Sequence, residues 1–263
     1  MGVATTVWPG SGRQSGMCDP RAMMLKACLN GWRSPSEHPA LPTTPAAIAK
    51  DAAAVVVAGA DALHVHPKGD DGADTLEPQM VAEVVAAVRA AVPGIPIGVT
   101  TGAWTAHDPG VRLGLISQWT VLPDFASVNW HEPGAQSVAE LLLSRDIGVE
   151  AGLFHPAAVA SWRKWNLRDR CLRVLLEIVE ELPPAEAVAA AGELVDALGG
   201  ELDTASVLMH GEGTSSWPVL REAIRRGFDL RIGLEDVLVL PDGSPAANNA
   251  ELVTAALTQR NSG

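Results

Sequence analysis

Short runs of β-favouring apolar residues alternate with amphipathic segments along most of this chain. The apolar runs fall at 25–30, 62–66, 95–101, 125–130, 147–153, 171–177, 205–210 and 230–235. Between them the hydrophobic period changes to that of a helix. Thr44-Pro45 supplies an N-cap and a proline at the first helical position, and Ile48, Ala52, Val55 and Val56 then form an apolar face that stops at Gly59. Val81, Val84, Val85, Val88 and Val92 form another, ended by Pro93-Gly94. Further helical patterns cover 137–144, 184–198, 217–226 and 249–258. Eight strand–helix units in about 240 residues match the number and size of a (β/α)8 TIM barrel. The expected fold is therefore α/β, a single-domain TIM barrel over residues 24–260. A doubly wound open sheet is the alternative. It would carry a Gly-rich phosphate turn after its first strand, and Asn30-Gly31-Trp32-Arg33 is not one.

Strand parity then sorts the polar residues. Alternate residues of a barrel strand face inward, and chemistry gathers at the C-terminal ends. The second strand ends His64-Val65-His66. With Leu63 and Val65 facing the helices, both histidines point into the barrel, where two imidazoles can chelate one metal ion. In Arg231-Ile-Gly-Leu-Glu235-Asp236 the same rule turns Arg231, Gly233 and Glu235 inward and leaves Asp236 at the rim. Asn30, Thr100, Asn129, Glu150 and His210 fall near the inner rim. A packed barrel interior is normally Val, Ile and Leu, and burying this many polar groups without partners would cost several kcal/mol. His64, His66 and Glu235 instead suggest three protein ligands with a coordination position left open, zinc being the default ion. The same donors also accept manganese, cobalt or nickel. Glu150 and Arg231 can also be read as an ion pair inside the barrel. His131, His155 and His210 read as supporting or loop histidines. The acidic run from Glu177 to Glu181 reads as a solvated helix start, and the tryptophans of Ser161-Trp-Arg-Lys-Trp165 as packing.

Composition narrows the partners. The net charge of −12 disfavours nucleic acid and anionic membranes, and no apolar run reaches the roughly 18 residues of a membrane span. With no tyrosine in the chain, a tyrosine acid or base is excluded. Cys18, Cys28 and Cys171 show no metal or disulfide spacing, which fits a reduced cytoplasm. Residues 1–23 begin with a stretch rich in Gly and Ser that lacks a secretory apolar segment, and are expected to be a disordered extension.

In several ordered pieces the chain resembles the β-keto acid cleavage enzyme family. These are Ala27-Cys-Leu-Asn-Gly31, Leu41-Pro-Thr-Thr-Pro45, His64-Val-His-Pro67, Thr100-Thr-Gly102, Ala126-Ser-Val-Asn129, Arg231-Ile-Gly-Leu-Glu-Asp236 and Asn249-Ala-Glu-Leu-Val253. The resemblance implies a reaction between a β-keto acid and acetyl-CoA that releases acetoacetate and a new acyl-CoA. It implies zinc on His64, His66 and Glu235, with Asp236, Arg231 and Glu150 as catalytic and orienting groups and Thr100 in the place of a family serine. Asn30, Thr101, Gly102 and Asn129 fall among the substrate contacts, and a homotetramer is the implied assembly. Arg33 occupies the position where a family member that takes an amine carries a glutamate, so an anionic or neutral-polar substrate end is expected here.

The chain departs from the family in the short passage through Trp130-His-Glu-Pro133 and in His210-Gly-Glu-Gly213, where the family is glycine-rich. Two other functions use the same features. A metal hydrolase of the amidohydrolase type also carries H-x-H in a barrel, but on the first strand, whereas a full strand–helix unit precedes His64. A non-catalytic ligand-binding barrel would keep the fold without turnover.

Overall fold

The computed structural model describes residues 23–203 and 205–262. Apart from Met23, the expected N-terminal extension lies outside the described residues, as does Cys18. The strands are β1 (Leu25–Cys28), β2 (Ala62–Val65), β3 (Ile97–Val99), β4 (Phe125–Asn129), β5 (Gly148–Leu153), β6 (Arg173–Ile178), β7 (Val207–Gly211) and β8 (Asp229–Ile232). They pair in parallel in chain order, and β8 closes on β1. A closed ring of eight parallel strands with interleaved helices is the TIM barrel that the alternation predicts, and it rules out an open sheet.

The helices are α1 (Pro45–Ala58), α2 (Pro78–Ala91), α3 (Pro109–Ser117), α4 (Ala135–Ser144), α5 (Pro156–Arg163), α6 (Pro184–Leu198), α7 (Ser216–Arg226) and α8 (Asn249–Ser262). In α1, Thr44 Oγ1 accepts from the Ala47 N–H, and Ile48, Ala52 and Val55 are buried on one face. In α2 the buried face is Val81, Val84, Val85 and Val88. The short helices α3 and α5 were not among the periodic patterns, being too brief to show one. Both begin at a proline, behind caps from Asp108 and His155. A proline at the first helical position costs no hydrogen bond, because that N–H has no partner inside the helix.

Parity divides the barrel into two chemistries. Leu63, Val65, Ile97, Val99, Val149 and Ala151 face outward into the hydrophobic layer beneath the helices. The alternate positions fill the lumen, and many are charged. At its floor, Lys26 Nζ lies 2.5 Å from Glu150 Oε2 and Arg173 Nε lies 3.3 Å from Glu150 Oε1. The Phe125 ring packs against both cations, 5.7 and 5.9 Å from its centroid. Glu150 therefore does not pair with Arg231, as was expected. Its register places it opposite Arg173, in the floor layer.

One polar hub fastens the last helix to the barrel. Asn249 Oδ1 accepts from the Leu234 N–H, while its Nδ2 donates to the Leu29 carbonyl and to Asp51 Oδ2, each at 2.7 Å. Its side chain thus links the exits of β1 and β8 to α1 and holds the turn that carries Glu235. Burial pushes the Asp51 carboxyl up to about 6, only partly countered by the bond from Asn249. A carboxyl whose folded pKa is raised contributes most below its unfolded value, and that contribution is lost as pH rises through about 6. Asp51→Asn keeps an acceptor for Asn249 and removes the buried charge. It is expected to raise stability at pH 8 by on the order of 1–2 kcal/mol, or roughly 2–6 °C in Tm, with no gain near pH 4. Thermal melts of both proteins across pH check this.

Candidate active site

The top of the barrel gathers three metal-type donors. His64 stands in register between Cys28 of β1 and Gly98 of β3. His66 follows two residues later, and its backbone is gripped by Asn30: its N–H donates to Asn30 Oδ1, and Asn30 Nδ2 donates to its carbonyl, both at 2.9 Å. Asp74 Oδ2 lies 2.7 Å from His66 Nδ1, leaving Nε2 aimed into the lumen. Asp74 is itself fixed by Lys68 Nζ at 2.6 Å and by the Trp104 indole N–H at 2.8 Å. Glu235 reaches in from the turn after β8. Space for it exists because residue 31 is glycine: a Cβ there would sit 2.3 Å from Glu235 Cγ, and the backbone has φ +56°, which disfavours side chains.

The donor separations suit one small ion. His64 Nε2 and His66 Nε2 are 3.2 Å apart, and His66 Nε2 is 3.4 Å from Glu235 Oε1. The edge of a tetrahedron with bonds near 2.05 Å is about 3.3 Å. Glu235 Oε2 is buried with no hydrogen-bond partner, and all three residues are buried with their donor atoms within 4.8 Å of one another. Burial holds the His64 imidazolium well below its usual range, so this ring is neutral. Burial alone would lower His66 too, but Glu235 and Asp74 beside it push it up to about 9. A carboxylate on the far nitrogen of a metal-type histidine fixes its tautomer and strengthens it as a ligand.

Arg231 organises the adjoining wall. Its Nη2 donates to Glu235 Oε1 at 2.7 Å and to Asp236 Oδ1 at 2.8 Å, and its Nη1 lies 3.6 Å from Glu177 Oε2. His210 bridges two of these carboxylates, with Nε2 2.8 Å from Glu177 Oε2 and Nδ1 3.5 Å from Asp236 Oδ1. Burial raises the Glu177 carboxyl, but His210 and Arg231 outweigh it and hold the group below its ordinary value. For Asp236 burial wins over Arg231, and the carboxyl is pushed up. Three carboxylates around one guanidinium leave a deficit of positive charge, which a divalent cation at His64, His66 and Glu235 would offset.

Above these groups opens a cavity of about 560 Å³. Its walls include Trp32, Trp104, Phe154, Thr100, Asn129, Glu177, Glu212 and Arg231. Burial and then Asp236 push the Glu212 carboxyl up to about 8.

A family model for the beta-keto acid cleavage enzymes matches residues 22–261. The chain belongs to that family. A 3-keto-5-aminohexanoate cleavage enzyme from Fusobacterium nucleatum subsp. nucleatum is 24% identical over 249 residues, 88% of each chain. Its counterpart from Acetoanaerobium sticklandii is 22% identical over 254 residues, 88% of this chain and 89% of that one. Among solved structures, the ternary complex of ObcA with a C4-CoA adduct and oxalate is similar with a TM-score of 0.68 at 18% identity, over 85% of this chain and 64% of that chain. The binary complex of ObcA with oxaloacetate gives 0.66, with 84% and 63% covered. This chain thus spans under two thirds of ObcA, and the likeness is one of fold.

Within a beta-keto acid cleavage enzyme, the positions of the expected site residues divide. His64, His66, Glu235, Arg231, Thr100 and Asn129 line the cavity. Asp236 is fully buried rather than at the rim. The reason is that β8 ends at Ile232, and a turn in which Asp236 N–H donates to the Gly233 carbonyl carries both acids inward. Glu150 lies in the floor layer, and the carboxylate beside Arg231 on the cavity wall is Glu177. The expected solvated helix start is thus wrong for Glu177, which is 4% exposed. Gly152 makes its room, since a Cβ there would lie 2.5 Å from Glu177 Oε1. Arg33 does not line the cavity. Its Nε donates to the Glu235 carbonyl and its Nη1 pairs with Glu37 at 2.9 Å, so the expected fork for a distal carboxylate is already engaged. Asn30 serves the His66 backbone, Thr101 Oγ1 donates to the Ser127 carbonyl, and Gly102 seats the Trp104 ring. Asp74, Trp104 and Glu212 were missed because loops carry no period. The one signal for Glu212 was the acid standing in a stretch that is otherwise glycine.

Asp74→Asn should keep the fold and weaken metal retention by roughly 10–100-fold, the usual cost of losing the partner behind a histidine ligand. Competitive zinc titration against a chromophoric chelator measures it, and unchanged affinity would detach Asp74 from the metal site.

Proposed function

We propose that this chain joins a β-keto acid to acetyl-CoA, releasing acetoacetate and a new acyl-CoA, at a zinc site held by His64, His66 and Glu235. The observation that carries this reading is the convergence of those three donors at tetrahedral spacing at the C-terminal mouth of a beta-keto acid cleavage barrel. Both curated relatives named above bear a cleavage activity on a keto acid, which supports the substrate class. When bound there, zinc supplies a Lewis acid that polarises the keto carbonyl and charge that holds the substrate's carboxylate.

The chain's own residues divide the remaining work. Arg231 lies on the cavity wall with its charge fixed by Asp236 and Glu235, where a rigid guanidinium stabilises oxyanions that develop as the carbon–carbon bond forms and breaks. Glu177 is the carboxylate that faces substrate beside Arg231. With His210 holding one oxygen, it can take a proton from the attacking carbon and return it. Asp236 does not line the cavity and acts through Arg231, so it is a positioning residue in this scheme. Thr100 presents its hydroxyl to the cavity next to the donors, where it can orient the bound acid. Glu150 keeps the barrel floor together and takes no part in proton transfer. A cytoplasmic homotetramer is the assembly and location this reading carries from the family resemblance.

Incubating zinc-loaded protein with acetyl-CoA and a panel of β-keto acids should yield acetoacetate and the matching acyl-CoA in equal amounts. Glu177→Gln should lower kcat by about 10²–10⁴-fold while retaining zinc. Glu150→Gln should reduce Tm and leave kcat within a few-fold, because it breaks a buried ion cluster. A panel without product would end the reading, and a Glu150→Gln defect confined to kcat would return that residue to the chemistry.

A further inference from the structure

The charged groups on the cavity wall are nearly all engaged with one another. Asp74 accepts from Lys68 and Trp104 and lies against His66. Glu177 is held by His210 and Glu235 by Arg231. Glu212 is different: its carboxylate has no hydrogen bond or ion pair among the described residues, although it lines the same cavity. Its backbone is nevertheless fixed. Its N–H donates to the Ile178 carbonyl and its own carbonyl accepts from the Ser215 N–H, both at 2.9 Å, while the Gly213 N–H donates to the Asp236 carbonyl at 2.8 Å. The acid is thus presented from a pinned turn at the end of β7.

The rest of the outer wall is aromatic, from Trp32, Trp104 and Phe154. Trp32 and Trp104 are 61% and 44% exposed, leaving their faces open at the mouth. No uncommitted cation opposes Glu212 among the described lining residues. Arg231 is saturated by carboxylates, Lys68 is buried against the Gly31 carbonyl and Asp74, and Arg33 is paired with Glu37 outside the lining. A carboxylate among aromatic faces attracts a cation twice, through its charge and through the ring quadrupoles. A carboxylate-tailed substrate would meet like charge with nothing to offset it.

We propose that Glu212 is a specificity residue that selects β-keto acids carrying an ammonium group at the end away from the reacting carbonyl, with Trp32, Trp104 and Phe154 enclosing that end. The proposal rests on the β-keto acid reading of this cavity. It replaces the anionic tail expected from Arg33 with a cationic one, because the structure places Glu212 on the wall and Arg33 off it.

The test compares kcat/KM of the zinc-loaded full chain for three β-keto acids of equal length, ending in an ammonium, a neutral group and a carboxylate. The wild type should prefer the ammonium acid over the neutral one by about tenfold or more, the scale of a charged hydrogen bond. Glu212→Gln should shrink that preference to about twofold, mainly through KM and with zinc content unchanged, and Glu212→Lys should turn it toward the carboxylate-tailed acid. A wild type that favours the neutral or anionic acid overturns the proposal, as does a Glu212→Gln enzyme that keeps the ammonium preference. If none of the three is cleaved, calorimetric binding of the same acids separates the two ideas. Ammonium-selective binding lost in Glu212→Gln would support the specificity role and sink the reaction, whereas equal binding of all three by the wild type would overturn the specificity role itself.

Discussion

Arg231 sits where the lumen of the barrel meets its open mouth, and its guanidinium bonds to Glu235 and Asp236 and lies within ion-pair reach of Glu177. In a desolvated lumen each of those carboxylates would be costly alone, and the guanidinium fork lets them share one fixed cation. The consequence is geometric as much as electrostatic. Glu235 is held with one oxygen on Arg231 and toward His66, and the other oxygen without a partner. Glu177 is set on the opposite side with His210. The metal-type donors and the carboxylate that faces substrate are therefore positioned by the same side chain. The floor cluster of Lys26, Glu150 and Arg173 performs a comparable balancing lower in the barrel, away from the cavity.

Support continues outward through groups that touch no substrate. Asp74 behind His66 is held by Lys68 and Trp104, so an aromatic residue of the cavity wall and a metal-type histidine share one carboxylate. Asn30 clamps the His66 backbone, and Asn249 ties the turn before Glu235 to β1 and α1. Rigid placement of this kind favours catalysis because polar groups already aimed at the reacting atoms need not reorganise during the reaction. The outer cavity has a different character, aromatic and acidic, and it bears on which acid enters rather than on the bond changes within.

Much of this was legible in the sequence where the chain is periodic. Alternation along β2 turns His64 and His66 inward because their neighbours Leu63 and Val65 belong to the helix-facing layer. The repeated strand–helix spacing fixes the barrel. Reading failed where the period stops. Parity extended through Glu235 and Asp236 assumed a strand that in fact ends at Ile232, so it put Asp236 at the rim when a turn buries it. Glu177 was hidden among acidic neighbours, and what identifies it is depth in β6, opposite His210. Glu150 looked functional because it is an inward acid, yet its register with Arg173 commits it to the floor. Asp74, Trp104 and Glu212 come from loops, whose positions depend on tertiary bonds that no local pattern encodes. Arg33 shows the complementary error: its place in the chain suggested a substrate contact, and a neighbouring acid, Glu37, captured it.

The central claim is that a metal ion sits at the barrel mouth on two imidazoles and a carboxylate. Cys28, buried and in register with His64, is the nearest alternative type of donor by strand position, and burial pushes its thiol well above the usual range, against the thiolate form. Zinc K-edge X-ray absorption on the protein as purified tests the claim most directly. The predicted spectrum shows a first shell of nitrogen and oxygen near 2.0–2.1 Å with the outer-shell scattering of two imidazoles. A sulfur shell near 2.3 Å, or protein that carries and binds no metal, would contradict it.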